Sequence, residues 1–117
     1  MKDYRKIQAW QRSHPLTVEI YRLTKLFPKE EMFGLTSQMQ RAASSIPANI
    51  AEGAGRDGAA ELKRFLTIAL GSASELDYFV LLSSELGYIG QAEAEATAAE
   101  LLEVRRMLGG FVQKLKA

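Results

Sequence analysis

The sequence predicts an all-α protein: an antiparallel up-down-up-down four-helix bundle whose second helix is kinked at Pro47. Three observations predict it. Four stretches space their apolar residues three and four apart, which is one face of a helix. The breaks between them fall at Pro28, at Gly53–Gly58 and at Gly87–Gly90, and such short connections make sequential helices antiparallel neighbours. No stretch alternates apolar and polar residues in the manner of a strand. Residues 1–117 read as one domain, and a chain of that length buries enough surface for a core of its own.

The first helix carries Leu16, Ile20, Leu23 and Phe27 on one face. Ser13 is placed to cap it, with Pro15 in the first turn, where its missing N–H costs nothing. Trp10 either belongs to an earlier turn or extends the helix. Pro28 ends the segment.

Leu35, Met39, Ala43, Ile46 and Ile50 mark the second helix, started by Thr36 or by a residue of the Lys29-Glu30-Glu31 turn. Pro47 lies inside it. The ring removes a backbone donor and crowds the Ala43 carbonyl, so one bent helix is expected rather than two short ones, because the apolar face keeps its phase across the proline.

Gly53 to Gly58 turns the chain, and Asp57 is the expected N-cap of the third helix. Leu62, Phe65, Ala69, Ala73, Leu76, Phe79 or Val80, Ser83 and Leu86 mark its buried face. A second strip of Ile68 and Leu82, with Leu70 and Leu81 beside it, makes this helix apolar most of the way round. Such a helix is either satisfied within the chain or faces another copy, and the small Gly71, Ser72 and Ala73 would let a neighbouring backbone approach. Glu75 and Asp77 in the middle of this apolar stretch argue for a bundle helix and against a membrane span.

Gly87 and Gly90 close the next turn. Thr97, Leu101, Val104, Leu108, Phe111 and Leu115 then repeat four and three apart as a heptad-like seam. Acids fill the start of this fourth helix and Arg105, Arg106, Lys114 and Lys116 its end, which complements the helix dipole. Gly109-Gly110 is a weak point, costing about 1 kcal/mol per glycine relative to alanine.

The composition, 47% hydrophobic and 25% charged, is that of an ordinary globular domain. The absence of cysteine excludes disulfides and thiolate metal sites. The opening MKDYRKIQAW has no apolar signal region, so a cytoplasmic location is expected. Gly53-Ala54-Gly55-Arg56-Asp57-Gly58 matches G-x-G-x-x-G, but a dinucleotide fingerprint needs a strand before it, and a helix stands there. The lone His14 has no partner set for catalysis, and no Glu-x-x-His pair offers a metal site. No catalytic residue, metal or cofactor is expected, and the protein reads as non-enzymatic.

Two constellations remain. The net charge is only +1, yet residues 65–104 hold acids and no Lys or Arg, while residues 105–117 hold Lys and Arg and no acid. Folded as a bundle, the start of the first helix, the second turn between helices and the end of the fourth meet at one pole. Arg12, Arg56, Lys63, Arg64, Arg105, Arg106, Lys114 and Lys116 gather there, and a clustered basic face is the footprint of an RNA or DNA contact. The alternative is a set of ordinary solvated charges. On the second helix, Arg41, Ser45, Asn49 and Glu52 form a polar edge, either a small ligand site or, as the spacing favours, a hydrogen-bonded seam that steadies the proline. In that seam Asn49, Ser44 or Ser45 would serve the freed backbone, and Glu75 would pair with Arg41.

Trp10-Gln11-Arg12, FPKEEMFGLTSQMQRAASSIPANIAEGAGR, FLTIALGSASELDY and ELGYI together resemble the four-helix bundle proteins related to the 23S rRNA intervening-sequence proteins, with SIPANIAEG the most specific part. That family includes the accessory variability determinant of diversity-generating retroelements. The resemblance implies a ring-shaped homopentamer. For the accessory branch it also implies a strongly basic surface that binds nucleic acid and a reverse-transcriptase partner. It gives the matched positions, Arg41, Ser45, Pro47, Asn49, Glu52, Gly53, Gly55 and Arg56, no catalytic role. The expectation is therefore a cytoplasmic oligomeric scaffold that touches RNA or DNA through its basic pole, the alternative being a purely protein-binding homo-oligomer.

Overall fold

A computed structural model describes residues 3–115. A 3-10 turn at Tyr4–Lys6 leads into α1 (Gln8–Thr24), a second 3-10 turn at Lys29–Glu31 into α2 (Leu35–Ala54), and α3 (Ala59–Glu85) and α4 (Gln91–Lys114) follow. No strand occurs among the described residues. The helices close a cycle in which each meets its two neighbours in sequence and α4 meets α1. Partners run in opposite order along each seam: Thr17 and Thr24 of α1 meet Ala43 and Gln40 of α2, and Arg12 and Arg22 meet Glu100 and Glu93 of α4. The result is a rod about 45 Å long with two well-separated poles.

The core is one apolar column. Ile20 and Leu23 of α1, Met39, Ile46 and Ile50 of α2, Leu66 and Leu76 of α3, and Leu101, Val104 and Leu108 of α4 are almost wholly excluded from solvent. Burying one such side chain is worth roughly 1.5–3 kcal/mol, and these residues fix which face of each helix turns inward.

The helix ends differ from the sequence expectation, each for a local reason. Ser13 is not the N-cap of α1. It lies inside the helix, fully buried, with its hydroxyl donating to the Trp10 carbonyl. The N-cap of α1 is Ile7, extended and without a side-chain cap, while Asp3 caps the separate 3-10 turn before it by accepting from the Arg5 amide. Trp10 thus belongs to α1, and Pro15 sits beyond its first turn on the exposed side. Asp57 is not the cap of α3 either. Gly58 takes that position with φ 88°, a left-handed conformation that a glycine adopts without strain. The start of α2 is helped from the turn before it, where a Glu31 carboxylate oxygen accepts from the Leu35 amide at 3.2 Å.

α2 continues without a break through Pro47 as a single helix. The proline has no N–H for the Ala43 carbonyl. Neither Ser44, Ser45 nor Asn49 replaces it. The Thr17 hydroxyl of α1 lies 3.0 Å from the Ala43 oxygen and donates to it from the neighbouring helix.

Gly53, in the last turn of α2, is required by packing: a Cβ there would lie 2.8 Å from Phe65 Cβ and 3.2 Å from Leu62 Cδ1. The end of α3 is a Schellman motif, with the Tyr88 amide on the Ser83 carbonyl, the Gly87 amide on Ser84, and Gly87 at φ 79°. Leu86 lies past that end and is half exposed, so it leaves the buried face expected of it.

The second apolar strip of α3 is covered only in part within the chain, Leu70 and Leu82 packing against the core. Ile68 and Leu81 are exposed and Leu70 and Leu82 half-buried, and nothing lies within 4 Å of a Cβ built on Gly71. By length and composition α3 would also suffice to cross a membrane, but its other face packs on α2 and α4. α4 stays helical through Gly109 and Gly110, neither of which has a close neighbour.

Candidate functional site

The basic pole is built by three segments that the cyclic packing brings together. Lys6, Ile7, Gln8 and Ala9, from the start of α1 and the turn before it, line a groove with Arg106, Met107, Gly110, Phe111 and Lys114 of α4. A second hollow joins Gly53 and Ala54 at the end of α2 and Arg56 and Gly58 of the α2–α3 turn to Ala59 and Leu62 of α3 and to Leu115. The two hollows adjoin at the end of α4, the first lined by Lys114 and the second by Leu115.

The cations themselves are mostly engaged. Arg12 makes two charge-assisted hydrogen bonds to Glu100, at 2.7 and 2.8 Å, across the α1–α4 seam. These hydrogen bonds raise the Arg12 pKa and hold Glu100 below the usual carboxylate range. Arg56 pairs with Glu52 one turn before it at 2.8 Å and reaches Glu61 at 4.0 Å. Arg64 pairs with Glu61 at 3.0 Å, a contact that lowers the Glu61 pKa and raises its own. Arg105 turns away from the pole toward Asp77 at 3.9 Å, and Arg106 meets Glu103 at 3.4 Å. Lys63 and Lys114 have no ion pair among the described residues. Lys116 lies outside the described residues.

Aromatic rings interleave with these charges. The guanidinium groups of Arg56 and Arg64 lie 5.1 and 4.5 Å from the Phe65 ring centroid, within cation–π range. Tyr4 packs edge-on to Trp10 at 5.0 Å, and Trp10 stacks flat on His14, also at 5.0 Å. This stack accounts for His14, which is an exposed mid-helix residue and not part of a first turn.

The polar seam of α2 makes hydrogen bonds within α2 and to α3. Asn49 donates to the Ser45 carbonyl at 2.7 Å and to its hydroxyl at 2.9 Å, and the Ser45 hydroxyl meets that of Ser72 on α3 at 2.8 Å. Glu52 finds Arg56 rather than a distant partner. Arg41 and Glu75 line the same shallow hollow as Ser45 and Ser72 without forming an ion pair. Every buried side-chain nitrogen and oxygen among the described residues has a hydrogen-bond partner.

No strand stands before the G-x-G-x-x-G segment, and Gly53 belongs to a helix. No cluster of His, Asp or Glu fit to hold a metal occurs among the described residues. Sequence reasoning missed Met107 and Phe111 as groove residues. Their signal was weak: Phe111 reads as core by its heptad spacing, and its position in the last turn of α4 leaves it half exposed.

The profile of the 23S rRNA-intervening sequence protein family matches residues 5–110. A crystal structure of a protein of unknown function from the S23 ribosomal protein family of Bacteroides thetaiotaomicron is similar in fold, with a TM-score of 0.83 and 27% sequence identity over 90% of this chain and 95% of that one. No curated protein matches the chain.

Proposed function

Since the chain belongs to the 23S rRNA-intervening sequence protein family, we propose that it is a non-enzymatic, oligomeric helical-bundle scaffold of the cytoplasm that contacts RNA or DNA through its basic pole. The observation that carries this reading is the convergence of Lys6, Arg56, Arg106 and Lys114 from three separate segments around two adjoining hollows. The ion pairs at the pole do not oppose it. Pairs between exposed side chains are worth about 0–1 kcal/mol, so a phosphate can take the place of Glu52, Glu61 or Glu103. Lys63 and Lys114, with no pair among the described residues, need not give up a partner.

A second reading, a protein-binding homo-oligomer with no nucleic-acid contact, is favoured by the uncovered Ile68, Tyr78 and Leu81 of α3 and Leu102 of α4. Fluorescence anisotropy with a short RNA separates the two. Binding should weaken steeply between about 50 and about 200 mM salt. Lys63→Ala with Lys114→Ala should weaken it for every sequence and flatten the slope of log K on log salt by about one unit per cation removed. Absence of binding at low salt, with light scattering still showing a homo-oligomer, would leave the protein-only scaffold.

A further inference from the structure

The groove between the start of α1 and the end of α4 has two properties that an electrostatic surface for duplex phosphates does not need. It is an open groove of about 470 Å³, and its lining is mainly apolar, with half-buried Ile7, Met107 and Phe111. Its rim is cationic, with Lys6, Arg106 and Lys114 on both flanking segments. Gly110 opens onto it. A glycine inside a helix is justified by packing when a neighbour comes too close for a side chain, as at Gly53, but nothing lies within 4 Å of a Cβ at Gly110. The chain therefore accepts a weakened helix here with no internal contact in return, and what the glycine preserves is open space in the groove.

We infer that this groove seats an unpaired nucleotide of a single-stranded RNA or DNA, its base laid on the apolar lining beside Phe111 and its flanking phosphates held by Lys6, Arg106 and Lys114. The inference rests on the reading of the basic pole as a nucleic-acid contact and names the form of nucleic acid it takes. A base in a duplex keeps its faces stacked on its neighbours, so only an unpaired strand can offer a face to the groove. The flat ring supplies the apolar body and the phosphodiester the charge, which match the lining and the rim. The rim cations serve any phosphate, whereas the apolar lining discriminates.

The test uses the full chain, a fluorescent oligouridine of about twelve nucleotides and an RNA duplex of the same length, spanning the site sizes of single-strand binders. Gly110→Leu fills the groove with a good helix former at an exposed position, so it should fold at least as well as the parent. It should weaken oligouridine binding by about fivefold to a hundredfold, the range for loss of one stacked base, and leave duplex binding unchanged. Phe111→Leu, which keeps apolar bulk but removes the ring, should act in the same direction, with a melting curve recorded beside it. Equal losses on both probes, or no loss on either, would overturn the nucleotide seat while leaving the phosphate-binding pole standing. No binding of either probe by the parent at low salt would remove both readings. Loss of self-association in Gly110→Leu with RNA binding intact would assign the groove to a second copy of the chain.

Discussion

At the scale of single residues, Pro47 and Thr17 form the most instructive pair. The proline releases one buried carbonyl, that of Ala43, and a threonine from another helix takes it. A buried acceptor left without a donor costs about 1–3 kcal/mol. Thr17→Val should therefore lower the unfolding free energy by that order, read from urea denaturation. Pro47→Ala restores the amide to α2, so in that background the same Thr17→Val change should cost much less; equal costs in the two backgrounds would show that Thr17 acts by its other bond, to the Ser13 carbonyl. This pairing was not legible in the sequence. The spacing of Ser45 and Asn49 pointed to a hydrogen-bonded seam, and Asn49 does bond Ser45, but the donor to the freed Ala43 carbonyl is Thr17, 26 positions before Ala43 on another helix. Periodicity reports which way a residue points and is silent on what it meets.

At the scale of elements, the four helices were legible and their ends were not. Ser13 followed by Pro15 looks like a helix start because Ser caps and Pro opens helices. The helix starts instead after Ile7, an extended residue with no capping side chain, which carries no start signal in the sequence. Asp57 looks like a cap for the same reason, and the need for a positive φ at Gly58 leaves no trace beyond the glycine itself. The glycines also divide by role in a way their spelling hides. Gly53→Ala should destabilise by about 1–3 kcal/mol, because its methyl would sit 2.8 Å from Phe65 Cβ and the α2–α3 seam must shift to admit it. Gly109→Ala, with open space around the new methyl, should stabilise by up to about 1 kcal/mol. Denaturation of both variants under one set of conditions should give opposite signs; a stabilised Gly53→Ala would mean that the seam is soft.

At the scale of the whole molecule, the four helices and the absence of strands among the described residues were legible in the sequence, whereas the closing contact between α4 and α1 was not, because periodicity does not say which helices meet. The ion pairs between helices were not foreseeable, since a heptad spacing sets a face but not how far one helix slides along another. The α1–α4 seam is the least extensive of the four and carries the Arg12–Glu100 and Arg22–Glu93 pairs. Because the folded state holds the Glu100 pKa below its ordinary 4.5, the pair contributes stability above that value and loses it as pH falls through the lower folded value. Tyr88, whose hydroxyl donates to Glu31 at 2.9 Å at the opposite pole, has the reverse sign. Its pKa is raised from 10.0, first by that hydrogen bond, so its contribution is complete below pH 10 and fades as pH rises through the higher folded value. Melting temperatures across pH should show Glu100→Gln blunting the acid decline and Tyr88→Phe blunting the alkaline one; identical profiles for parent and variants would show these contacts to be thermodynamically silent.

The Thr17–Ala43 contact also has a consequence in time. An isolated helix forms or melts within about a microsecond, long before helices dock. α2 cannot complete its backbone pairing on that clock, because the donor for its central carbonyl resides on α1. The second helix should mature only as the first arrives against it. The amides around Pro47 should then gain their slowest hydrogen exchange together with those of α1, as one cooperative unit and not as two independently protected rods.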